Sequence, residues 1–241
     1  VEVALEAAET SPDEAGPTLG ALKGAGFVRA TPSPAGELVE TFHDRVRESV
    51  TSQLSPELLV ERHHAIARAL EHHPHEGPGM AEAVYHHYRA AGMVAEAARH
   101  AYVAGQHAAD MLAFDRAARL FAIALEHTRD REERRVRMAA LGDALVNAGR
   151  GAEAAEAYLG AVDESQPLAS TNLRRLAAEQ LLVSGHVDRG LTLLREVLAG
   201  VDLKLAKTPR RAYFSRVLRR GALWRRGFEF TERRADQVPP A

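Results

Sequence analysis

Along most of this chain the apolar positions recur every three or four residues, the interval that lines side chains along one face of a helix. Leu59, Ile66 and Leu70 do so after Ser55-Pro56-Glu57, where a serine cap followed by proline predicts a helix start. Val46, Val50 and Leu54 keep four-residue spacing behind Asp44, which is placed to cap their helix. VEVALEAAE (1–9) reads as a further helix. Ser11-Pro12-Asp13-Glu14 opens another, which Gly16-Pro17 should break and restart as PTLGALKGAG. Two runs depart from this period. FVRAT and GELVETFH flank the turn-rich PSPAG and predict two short strands around a loop. Three small helices, a β-hairpin and a charged helix are therefore expected within residues 1–54.

Beyond residue 55 the pattern is helical throughout. The run HHPHEGPG (72–79) ends one helix, AEAVYHHYRAAG supplies the next, and past Gly92 the chain repeats itself. Gly105, Ala117, Phe121 and Ala124 return 37 residues later as Gly142, Ala154, Tyr158 and Ala161. Each helix pair buries one face on the next, with small residues where helices cross and an aromatic ring beside them. The segment 173–200 keeps the turn residue Gly185 but has Gly190 where the pattern expects alanine, so a third, degenerate pair is expected there. This spacing resembles the tetratricopeptide repeat, and the unit at about 135–168 matches it best. The order helices–hairpin in residues 1–54 is that of a winged helix.

Composition agrees with a mainly α fold. Hydrophobic residues make up 46% of the 241, enough to bury a core, while aromatics are only 5%, so close packing falls to small side chains. With no cysteine there is neither a disulfide framework nor a thiolate metal site, and a cytoplasmic location is expected. The net charge of −2 offers no global attraction for nucleic acid, and neither a signal peptide nor a membrane-spanning apolar run is evident. The chain begins at Val1 inside an amphipathic stretch and stops at ADQVPPA, which is the expectation for a fragment of a longer protein.

Four stretches carry a wider resemblance: VETFHDRVRESV, AVYHHYRAAGMVAEAARHA, LAFDRAARLFAIALEH and LWRRGFEFTERRADQVPP. Together they resemble the signal-transduction ATPases with numerous domains, the STAND class. Within that class they are most similar to the AAA-type ATPase and repeat segments attached to bacterial serine/threonine protein kinases. The class carries a Met-His-Asp motif at the end of its winged helix, and Phe42-His43-Asp44 stands in that place, with Phe42 taken as a buried apolar substitute for methionine. The resemblance implies that His43 contacts the β-phosphate of ADP and that Asp44 holds the helix start and orients the pair. An imidazole is a reasonable partner for such an anion near neutral pH. ATP or ADP would then be a ligand of the full-length protein, bound jointly with an upstream ATPase domain in cis, and not of this segment alone. No GxxxxGK[ST] loop, kinase glycine loop, HRD, DFG or GxSxG motif occurs, so the segment itself is expected to be no enzyme.

The resulting organisation is a winged helix at 1–54, a helical linker or repeat pair at 55–92, tetratricopeptide-like repeats at 93–202, and a basic amphipathic helix with the C-terminal linker at 203–241. The repeats are expected to bind a protein or peptide partner. The histidines at 63, 64, 72, 73, 75, 86 and 87 lack HExxH spacing, so solvated helix faces account for them better than a metal. In the basic segment Arg210, Arg211, Arg216, Arg219, Arg220 and Trp224 are candidate partner-binding residues. They could dock within the full-length protein, or meet nucleic acid or an anionic membrane. A competing reading is a winged-helix, nucleic-acid-binding transcriptional regulator with the repeats as effector domain. It is weakened by PTLGALKGAG, a candidate recognition helix with one positive charge, Lys23.

Overall fold

The computed structural model describes residues 1–33, 36–73, 79–206 and 208–227. The tip of the PSPAG turn, His75 with most of its loop, Lys207 and the tail 228–241 lie outside the described residues.

The N-terminal unit begins with α1 (Glu2–Ala7) and α2 (Pro12–Gly24). Ser11 and Glu14 form a reciprocal capping box at the start of α2, as the serine-proline-acid order predicts. The expected break at Gly16-Pro17 does not occur, and two helices, not three, precede the hairpin. Pro17 lies only six positions into α2. It lacks one N–H for the intrahelical ladder, and on an exposed helix water can satisfy the carbonyl left over. β1 (Val28–Ser33) and β2 (Gly36–Thr41) then pair antiparallel, from Val28 opposite Thr41 to Ser33 opposite Gly36. α3 (Asp44–Thr51) follows directly.

From there the fold is a succession of antiparallel helices: α4 (Pro56–His72), α5 (Met80–Ala90), α6 (Val94–Asp110), α7 (Phe114–Glu126), α8 (Arg131–Asn147), α9 (Gly151–Gly160), α10 (Pro167–Val183) and α11 (Val187–Ala199). Each packs on its neighbour in sequence, and α1 rests on α4. The result is a quasi-one-dimensional stack of helical repeats. α12 (Pro209–Arg226), capped by the Thr208 hydroxyl, completes the described chain.

The 37-residue recurrence is the packing unit. Ala117, Phe121, Ala124, Ala154, Tyr158 and Ala161 are all buried. A Cβ added to Gly105 would lie 2.6 Å from the Phe121 ring, and one added to Gly142 would lie 2.6 Å from the Tyr158 ring. Each glycine is therefore the slot that admits the aromatic of the following helix. The third pair keeps the close approach but moves the glycine across it. Buried Ala178 occupies the first helix, and a Cβ on Gly190 in the second would lie 2.7 Å from Leu182 and 3.1 Å from the Ala178 carbonyl. Alanine does not fit where the sequence pattern expects it.

The turns repeat as well. Gly92, Gly149 and Gly185 have φ of +73°, +76° and +86°, in the left-handed region that closes a helix C-terminus. At the equivalent turn between α6 and α7 the residue is Leu112, held at φ +59° with its side chain 74% exposed. Leucine carries a steric cost there that glycine avoids.

Candidate functional site

The His-Asp pair sits where β2 runs into α3. His43 occupies the N-cap position with extended backbone, φ −136°, and its side chain makes no capping hydrogen bond. Asp44 is the first residue of the helix and not its cap. Its carboxylate lies 3.1 Å from Arg47 and adds negative charge at the positive helix end. His43 is exposed, and its ring meets Phe42 edge-on, centroids 4.7 Å apart. Phe42 is 52% exposed, which corrects its assignment to a buried position: its backbone N–H bonds the Phe27 carbonyl, but among the described residues no core lies behind the hairpin to receive the ring. The imidazole is thus presented to solvent at a strand-to-helix junction. A cavity of about 670 Å³ lies along the same hairpin, between α1, the Glu37–Val39 part of β2, and Ile66 and Leu70 of α4. Its lining does not include His43.

α2 is a poor reader of nucleic acid. Its single lysine, Lys23, is held 2.8 Å from Glu37 of β2. The basic residues that could meet an anion lie instead on α12. There Arg210, Arg211, Arg216, Arg219 and Arg220 are exposed and Trp224 is 82% exposed. Among the described residues α12 is not packed on the last repeat. Tyr213, Phe214 and Leu218 are open to solvent rather than seated on α11.

The histidines separate into structural pairs, and among the described residues no group of three or more His, Asp or Glu is arranged to hold a metal. His63 and His87 face each other across α4 and α5, Nδ1 to Nδ1 at 2.9 Å. Burial, then the neighbouring charges of His63 and His86, hold His87 below the usual histidine range. Glu71 of α4 accepts a hydrogen bond from the Tyr88 hydroxyl of α5 and lies 2.6 Å from His100 Nε2 of α6, tying three helices together. Burial and the bond to Glu71 push the Tyr88 phenol up to about 12.

On the repeats, a cleft of about 540 Å³ opens between the start of α6 and the α7–α8 connection, lined by Arg99, Glu126, Arg129, Glu133 and Arg137. Arg137 is the feature that sequence reasoning missed. It is 7% exposed, donates to the Ala124 carbonyl and the Thr128 hydroxyl, pairs with Glu133 at 3.0 Å, and lies over the Tyr102 ring. Three hydrogen bonds and the contact with the Tyr102 ring hold it in place, so it braces the α7–α8 turn. Arg99 and Arg129, both exposed, leave the cleft with mixed charge, suited to a polar peptide segment.

No family model matches the chain, and no curated protein matches it. Among solved structures it is similar to one from Podosopora anserina, described as a kinesin light chain with nearly identical TPR-like repeats. The two share 15% identity over 65% of this chain and 82% of that one, with a TM-score of 0.42. The repeat architecture described above rests on this chain's own helix packing.

Proposed function

We propose that this chain is the regulatory, protein-binding segment of a multidomain signal-transduction ATPase, linked to a serine/threonine protein kinase. The stack α4–α11 binds a protein or peptide partner, and residues 1–54 act as a winged helix that responds to the nucleotide held by an upstream ATPase domain. The observation that carries the binding role is the continuous stack of helix pairs, whose mixed-charge cleft around Arg99 and Arg129 sits on a braced turn. Rigid repeats of this kind offer an extended surface without rearranging.

The nucleotide role is supported by Phe42-His43-Asp44 at a strand-to-helix junction and by the exposure of the His43 ring. ADP bound to the neighbouring domain would draw the imidazole onto its β-phosphate and favour a closed state. Exchange for ATP would release the repeats. Changing His43 to alanine in the longer protein tests this. A charge-assisted hydrogen bond contributes roughly 1.5–3 kcal/mol, so ADP should dissociate about tenfold or more faster from the variant. Unchanged ADP release, followed with a fluorescent analogue, overturns the sensor role.

A further inference from the structure

We infer that α12 is an anionic-lipid-binding helix that lies flat in the headgroup region of a bilayer. The 24 residues from Leu203 to Arg226 hold nine Lys and Arg and no acid. Of the chain's 31 basic and 33 acidic residues, that leaves 22 basic against 33 acidic everywhere else. The chain is thus acidic apart from one strongly cationic segment, and seven of its nine basic residues lie on α12, where attraction to a negative surface is concentrated.

Its side chains are sorted as such a surface requires. At 100° per residue, Tyr213, Phe214, Val217, Leu218 and Trp224 fall within an arc of about 140°. Arg211, Arg216, Arg219, Arg220 and Arg226 fall in the remainder, where Leu223 is the one large apolar residue. Arg210 and Arg225 intrude on the apolar arc only at the helix ends, where long side chains can reach back to headgroups. No residue described on α12 is buried, with Trp224 82% and Leu218 73% exposed. Among the described residues none of these arginines forms an ion pair with the acidic body, although that body would attract them. The helix is long enough, at 18 residues, to lie about 27 Å along a surface, and Thr208 caps it independently of the repeats.

Aliphatic Val217 and Leu218, contiguous with the three aromatic rings, decide between a lipid surface and a nucleic acid. A phosphate backbone has no use for them, whereas the boundary between headgroups and acyl chains accepts apolar, Trp and Tyr side chains together.

Trp224 is the only tryptophan, so its emission reports on α12 alone. The whole chain is titrated with phosphatidylcholine vesicles that contain, or lack, phosphatidylserine. Expected are a blue shift and co-sedimentation with the anionic vesicles only, both reversed by salt. Replacing Arg211, Arg216, Arg219 and Arg220 together by glutamine should weaken partitioning on the order of a hundredfold to a thousandfold. Leu218→Asp should remove the blue shift. Neither variant touches a buried position, so unchanged helix content by circular dichroism excludes misfolding as the cause. No shift with anionic vesicles overturns the proposal, as does an equal shift on phosphatidylcholine alone. So does binding to random duplex DNA that is tighter than to vesicles and indifferent to Leu218→Asp.

Discussion

Among the described residues, Ala7 is the one buried side chain between Val1 and Leu54, whereas helices α5 to α9 enclose Tyr85, Tyr88, Phe121 and Tyr158 in a bed of alanines. The N-terminal unit is held instead by pairs such as Lys23–Glu37 and Arg29–Glu40, whose side chains remain 33–60% exposed. Exposed pairs contribute about 0–1 kcal/mol each, while burying one large apolar side chain contributes about 1.5–3 kcal/mol. The two regions therefore differ in what fixes them. The repeats hold their shape through packing, which tolerates no change of volume. The hairpin unit shows Phe27, Leu38 and Phe42 about half exposed, and its arrangement rests on contacts that water and salt weaken.

The sharpest way to break this contrast is to truncate one phenylalanine in each region. Phe121→Ala should cost about 3–5 kcal/mol, because the ring fills the slot opposite Gly105 and nothing can collapse into it. Phe42→Ala should change stability by no more than about 0.5 kcal/mol. Urea unfolding of the two variants decides the matter, and similar losses would show that the hairpin has a core of its own. Next in size, Gly142→Ala should cost about 1–3 kcal/mol by driving a methyl into the Tyr158 ring. Combined with Tyr158→Leu, the penalty should be smaller than the sum of the two single changes, since both act on one contact. Leu112→Gly runs the other way. It relieves a left-handed φ at an exposed turn and should raise stability by about 0.5–1 kcal/mol, read as a higher urea midpoint at unchanged slope.

The repeat is legible in the sequence because its determinants are local and periodic. Gly105, Phe121 and their 37-residue echoes mark both the helix and the face it buries. What lies across a contact is not legible in this way. Gly190 reads as a defect until Ala178 is seen opposite it, and Arg137 reads as a surface charge until Thr128 and Tyr102 are seen around it. Gly16-Pro17 misleads for a related reason. Breakers are weighed by residue type, yet a capping box five residues upstream and an exposed face let the helix continue. At the candidate site the motif and its strand-to-helix setting are visible in sequence. The exposure of Phe42 is not, because it depends on how little packs behind the hairpin.

The smallest expected effect lies at the junction of the two regions. α1 meets α4 through Glu6, whose carboxylate lies 2.5 Å from His72 Nδ1 and 2.7 Å from His73 Nε2. The hydrogen bond from His72 holds Glu6 below the usual carboxylate range, against an opposing desolvation and with help from His73. A carboxylate depressed in the folded state binds protons more readily when its helix is released. Its contribution is complete above pH 4.5 and is lost as pH falls through the lower folded value. Glu6→Gln should reproduce that loss at neutral pH. Amides of α1 should exchange hydrogen several-fold faster in the variant, while those of α5 to α9 stay as protected as before, because their protection comes from burial. Acceleration in α5 as well would mean that the charge-held unit and the packed stack open together, and the division between them would have to move into α4.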